Sequence, residues 1–155
     1  MKLRKIMAVL MAASVAASLA GCGGSSSSGS SDSSSDSASS DSGKVYKIGI
    51  CQQLEHEALD QATQGFEDAC EEKFGKDKVK FDLQNGQGEQ ANCATISNGF
   101  VANNYDLILA NATTALQCAA AATSTIPVIG TSVTDYATAL DIDNWTGSTG
   151  TNVSG

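Results

Sequence analysis

Residues 105–123 read YDLILANATTALQCAAAAT, and this stretch decides the fold. Leu107 to Ala110 form a continuous apolar run without polar alternation, the mark of a strand covered on both faces in a parallel sheet. The run stops at Asn111, and an alanine-rich helix begins within a few residues. A buried strand that gives way to a helix through so short a loop is half of a parallel crossover unit.

The same rhythm extends outward in both directions. KVYKIGICQ (residues 44–52) is rich in apolar and β-branched residues and reads as a buried strand with Gly49 inside it. Leu59, Ala62, Phe66, Ala69 and Phe74 recur at helical spacing, and Gly75 closes that helix. VKFDLQN (79–85) alternates Val79, Phe81 and Leu83 with Lys80, Asp82 and Gln84, so this strand is half exposed and belongs near a sheet edge. Glu89 to Asn103 follow as a helix with Cys93, Ile96 and Phe100 on one face. IPVIGTSV (126–133) is a fourth strand, entered by Pro127, the single proline. Strands alternating with helices in this way predict an α/β fold, a parallel sheet with helices on both faces. Ligands of such sheets sit beyond the carboxyl ends of the strands. The candidate functional loops are therefore QQLEHEA (52–58), QNGQGEQ (84–90), NATTALQ (111–117) and TSVTDYA (131–137).

The amino-terminal part is of a different kind. Lys2, Arg4 and Lys5 precede an uncharged stretch from Ile6 to Ala20, and small residues end it, which predicts a secretory leader over residues 1–21. The stretch is shorter than the roughly 20 residues that a membrane-spanning helix needs. LAGC (19–22) resembles a bacterial lipobox, so Cys22 is the expected site of lipidation and the expected link to the outer face of the cell membrane. Residues 22–43, mostly serine with glycine and aspartate, contain no Leu, Ile, Val or aromatic side chain and cannot form a core. They are expected to be a flexible tether. Residues 44–155 are expected to fold as one α/β lobe.

Without its leader the chain carries six lysines against seventeen acids. Such a balance excludes nucleic acid as a partner, since phosphate contacts need basic patches, and it disfavours docking on anionic lipid through side-chain charge. Cys51, Cys70, Cys93 and Cys118 fall at apolar periodic positions and are expected to be free thiols in the core. There is no C-x-x-C spacing and only one histidine, so no metal site is expected.

The loops are polar but poor in catalytic machinery. His56 stands between Glu55 and Glu57, and Cys51 lies on the preceding strand, yet nothing in the sequence orients a Cys51–His56 pair. No phosphate-binding glycine motif is present, and Asn85-Gly86 marks a turn. Thr113 and Thr114 stand where a hydroxyl caps a helix and N–H groups face the ligand crevice, a place that suits a carboxylate. Ser132, Thr134 and Asp135 repeat that arrangement after the fourth strand. Hydroxyl-bearing helix starts on one sheet edge favour binding a small polar molecule over catalysis, and no cofactor is expected. On these residues alone, a self-contained, surface-anchored, flavodoxin-like enzyme or sensor module stays open.

EHEALD (55–60), QNGQG (84–88), ATTALQ (112–117) and TSVTD (131–135) stand in an order and spacing that resemble the ABC-transporter substrate-binding lipoproteins associated with uptake of tryptophan, tyrosine and other small solutes. Thr114 and Tyr136 stand where that family often has proline. The resemblance implies a type I periplasmic-binding-protein-like clamp of two parallel-sheet lobes that delivers its solute to membrane permease subunits and catalyses nothing. The first lobe alone is expected here, with NWTGSTGTNVSG (144–155) at the crossing into a second, and the chain is expected to be a fragment. The solute is expected to be an amino acid with an aromatic or hydrophobic side chain. Its carboxylate would lie on Thr113 and Thr114 and its ammonium group near Asp135 and Glu55. Gln53, His56, Asn85, Ser132 and Thr134 would complete the surroundings.

Overall fold

A computed structural model describes residues 43–155, and the leader, Cys22 and the tether up to residue 42 lie outside the described residues. Five strands form one parallel sheet: β1 (Tyr46–Gln52), β2 (Val79–Asn85), β3 (Leu107–Asn111), β4 (Val128–Thr131) and β5 (Val153–Ser154). Their spatial order is β2-β1-β3-β4-β5. Ile48 pairs with Phe81 on one side and Leu107 on the other, so β1 is central and β2 is an edge, as its alternating pattern predicted. The helices are α1 (Glu57–Phe74), α2 (Gln90–Ala102), α3 (Thr113–Ala122) and the short α4 (Tyr136–Ala139), with one 3-10 turn over Lys76–Lys78. The sequence reading assigned no structure to the closing segment. There, Val153 pairs with Val128 and adds a strand to the sheet.

Strand order and right-handed crossovers decide where the helices go. The connection from β1 to β2 runs opposite to those from β2 to β3 and from β3 to β4, so α1 lies on one face and α2 and α3 on the other. On the α2–α3 face, Cys51, Cys93, Phe100, Ile108, Ala110, Ala115, Leu116, Ala119 and Val128 form a closed core. Gly49 matters to it, because a Cβ there would stand 2.6 Å from the Phe100 ring. Within α2 the buried positions are Cys93, Ser97 and Phe100, and Ile96 is only partly covered.

The α1 face is thinner. Ile48, Ile50, Val79 and Leu109 are buried there, with Phe66, Cys70, Phe81, Leu107 and Ile129 partly covered. A groove of about 430 Å³ opens between α1 and the sheet, lined by Tyr46, Ile48, Phe66, Phe74, Leu107 and Ile129 among others. Thr63 is the one residue of α1 that is buried, and Phe74 is half exposed.

The four cysteines of the described residues are free thiols, as their positions predicted. Cys70 differs from the other three in being only partly covered. Cys51, Cys93 and Cys118 belong to the same core cluster. Burial, with Cys93 beside it, pushes the Cys51 thiol up to about 12.

Candidate functional site

The carboxyl ends of the strands gather the loops that the sequence singled out. Gln53 N donates to Asn111 O (3.1 Å), Gly86 N to Gln52 O (2.8 Å), Gly88 N to Gln53 O (2.8 Å) and Ala112 N to Thr131 O (2.9 Å). All four loops are therefore joined into one edge, with the loop after β1 at its centre.

Each candidate has a definite place on that edge. His56 is the N-cap of α1, and its Nδ1 accepts from Ala58 N at 3.2 Å. This assigns the Nε2–H tautomer, with Nε2 at the exposed surface. Glu55 is exposed beside it, and Glu55, His56, Glu57, Asp60, Gln61 and Gln64 line a shallow concavity of about 630 Å³. Asn85 Oδ1 accepts from Gln87 N (2.7 Å), which makes Asn85-Gly86 the turn that was expected. A Cβ on the buried Gly86 would strike Cys93 Sγ, so the turn packs directly onto α2.

The third loop departs from expectation. Neither Thr113 nor Thr114 caps α3 with its hydroxyl; the N-cap is Ala112, at φ 86°, with no side-chain bond. Thr113 is already the first helical residue, so its side chain has passed the capping position. In place of a cap, Gln53 Oε1 accepts from Thr114 N at 3.1 Å, and the loop after β1 thereby holds the start of the helix after β3. After β4, Asp135 is the N-cap of α4, accepting from Ala137 N (3.0 Å) and Thr138 N (3.3 Å). Thr138 Oγ1 also donates to its Oδ2 at 2.7 Å, and these bonds hold the Asp135 carboxyl below the usual carboxylate range. Ser132, at φ 57°, and Thr134 are exposed on the same rim.

A buried layer of polar side chains beneath the loops was not singled out from the sequence. Gln52 and Asn111, the last residues of β1 and β3, are 3 % and 0 % exposed, and Thr63 of α1 is 3 % exposed. They bond to one another beneath the loop after β1. Gln52 and Asn111 both end a strand and open a loop in the sequence, and only the approach of α1 reveals that they join Thr63 in a buried group.

Charge divides the two ends of the sheet. The six lysines of the described residues lie in or next to the start of β1, the end of α1 and the start of β2, which together form the amino end. The carboxyl end carries Glu55, Glu57, Asp60, Glu89 and Asp135, with no lysine or arginine among the described residues. The Cys51 thiol approaches Cys93 O on the α2 side (4.0 Å) and is fully buried, whereas His56 is exposed at the start of α1. The two do not form a nucleophilic pair.

The model of the family described as "ABC transporter substrate binding protein" matches residues 47–155. The chain belongs to that family. Among curated proteins, a tyrosine-binding protein of Clostridioides difficile is 44 % identical over 98 residues, 62 % of this chain and 28 % of its own length. Two solved structures align at TM-score 0.65 and 38 % identity over 71 % of this chain. One is the ligand-free, open form of a substrate binding protein with adhesive properties from Clostridium difficile, of which 38 % is covered. The other is an ABC domain from Streptococcus pneumonia in complex with L-Trp, of which 37 % is covered. The parallel sheet is a periplasmic-binding-protein-like lobe of a substrate-binding family. The chain spans under two fifths of the length of each of these relatives.

Proposed function

We propose that the protein is an extracytoplasmic solute receptor for an amino acid with an aromatic side chain, which it delivers to the permease of an ABC importer. Lipid on Cys22 would hold it at the membrane, and residues 44–155 would form one lobe of a two-lobed clamp. The observation that carries this reading is the charge of the site edge: five acids and no lysine or arginine among the described residues. A carboxylate arriving there finds no cation, so the N–H groups that open α3, at Thr113 and Thr114, are its available partners. Gln53, which holds Thr114 N in this structure, gives up that bond when the solute enters. An ammonium group is favoured by Glu55 and Asp135. His56, Asn85, Ser132 and Thr134 border the mouth. The relatives support the side-chain class, one being a tyrosine-binding protein and one a complex with L-Trp.

The test is a titration followed by amide NMR, with L-tryptophan compared against tryptamine, which lacks the carboxylate, and N-acetyltryptophan, which lacks the charged amine. L-Tryptophan should shift the amides of Gln53 and Thr114 with an affinity no tighter than about millimolar, about −4 kcal/mol, because one wall cannot enclose a ligand. Both analogues should bind more weakly. Equal binding of tryptamine would remove the α3 assignment, and micromolar affinity for this lobe alone would overturn the clamp.

A further inference from the structure

The buried polar group beneath the site does something that the site residues do not do for themselves. Thr63 Oγ1 donates to Gln52 Oε1 (2.8 Å) and accepts from Asn111 Nδ2 (3.0 Å), so one hydroxyl joins β1, β3 and α1. Gln52 Nε2 donates to Leu54 O (3.0 Å) in the loop and to Asp60 Oδ1 (2.6 Å) in the first turn of α1. Asn111 Nδ2 also donates to Leu59 O at 2.8 Å. Each strand thus ends in an inward-pointing amide that grips α1, and the next residue along, Gln53 or Ala112, belongs to the site edge.

The arrangement has an energetic cost that core packing does not require. Asn111 is 0 % exposed, and its Oδ1 has no hydrogen-bond partner among the described residues. An apolar residue of similar size would avoid leaving a buried acceptor unsatisfied. In return, the amides anchor Leu54, Leu59 and Asp60, at both ends of the segment that carries Glu55 and His56.

We propose that Gln52, Thr63 and Asn111 are positioning residues that preset the loop after β1 for the solute. This rests on the solute-receptor reading above. Holding the loop in place before binding removes the cost of ordering it at the moment of binding. Affinity should therefore depend on these three side chains although none of them touches the solute.

The experiment compares Thr63→Val, which keeps the shape and deletes the hydroxyl, with Thr63→Ser, which restores it. Amide hydrogen exchange is followed at Ala58, Leu59, Asp60 and Thr114, with Ile108 and Leu109 as an internal reference for global opening. L-Tryptophan titration is run on the same samples. In Thr63→Val the loop amides should exchange at least tenfold faster relative to the reference, and the apparent Kd should weaken at least fivefold. Thr63→Ser should return both toward the parent. If Thr63→Val does not fold, Asn111→Leu serves, and it should hold or raise the urea midpoint while loosening the same amides. Unchanged relative exchange, or loosened amides with unchanged affinity, would overturn the proposal. If the parent protein shows no tryptophan shifts, the receptor reading fails instead, and the exchange ratio still judges whether the three side chains hold the loop.

Discussion

The two faces of the sheet differ in how completely they are closed. Against α2 and α3 the chain buries Phe100, Ile108, Leu116 and Val128 at 0–1 % exposure. Against α1 it leaves Phe66, Leu107 and Ile129 partly open around a groove of about 430 Å³. The cause is topology rather than composition, since both faces carry branched apolar residues. Three crossovers, through α2, α3 and α4, land on one face and one on the other, so a single helix must cover most of a sheet that needs both sides shielded. The closed face should therefore contribute more to stability than the thin one.

The largest test of this contrast is a pair of truncations. Phe100→Ala should cost about 3–5 kcal/mol, since the ring is fully enclosed and packed over Gly49. Phe66→Ala should cost no more than about half of that, because the same truncation on the thin face leaves an opening already in contact with water. Urea unfolding measures both, and equal losses would abolish the distinction.

Thiol labelling gives a smaller and more local reading. Cys70 is on α1 at the open face, whereas Cys51 and Cys93 are fully enclosed on the α2–α3 face and Cys118 of α3 is buried near its surface. A neutral-pH thiol reagent should reach Cys70 first, then Cys118, and Cys51 and Cys93 only as the core opens. The raised pKa of Cys51 adds to its inertness, because burial leaves little thiolate at neutral pH. Early modification of Cys51 or Cys93, read by peptide mass, would show that the closed face breathes.

The smallest effect concerns the rim of the groove. Lys44 Nζ lies 2.7 Å from Asp106 Oδ1, and Lys47 N donates to Asp106 Oδ2 at 2.9 Å. The Lys44 contact first, and the Lys47 amide second, hold the Asp106 carboxyl below the usual carboxylate range. A depressed carboxyl stabilises the fold above its unfolded pKa, and that stability is lost as pH falls through the folded value. Asp106→Asn should therefore lower stability at pH 7 by at most about 1 kcal/mol. The difference should vanish in acid, and a difference that persists at pH 2 would assign the loss to packing.

Much of this was legible in the sequence, for identifiable reasons. Leu107–Ala110 and the alternation of Val79, Phe81 and Leu83 announce central and edge strands because burial on two faces or on one leaves a direct mark on residue type. Val153–Ser154 could not be read, since two residues among threonines and glycines carry no period and pair only because β4 is already in place. In the site, the loops were legible but the bonding was not. The threonines after β3 suggested capping, yet a left-handed Ala112 starts the helix one residue early. Thr63 and Asn111 pass for surface residues until a partner 48 positions away buries them both.

The parallel order β2-β1-β3 also governs how the chain reaches its structure. No two neighbouring strands are joined by a hairpin, and every pairing waits for a crossover to be made. The central strand meets its partners far along the chain, Tyr46 with Val79 and Ile48 with Leu107. Pairings so distant along the chain close slowly, because the entropy of each long loop is lost before any contact compensates for it. During synthesis β1 therefore remains half-paired until β3 has emerged, and its apolar face needs protection over that interval.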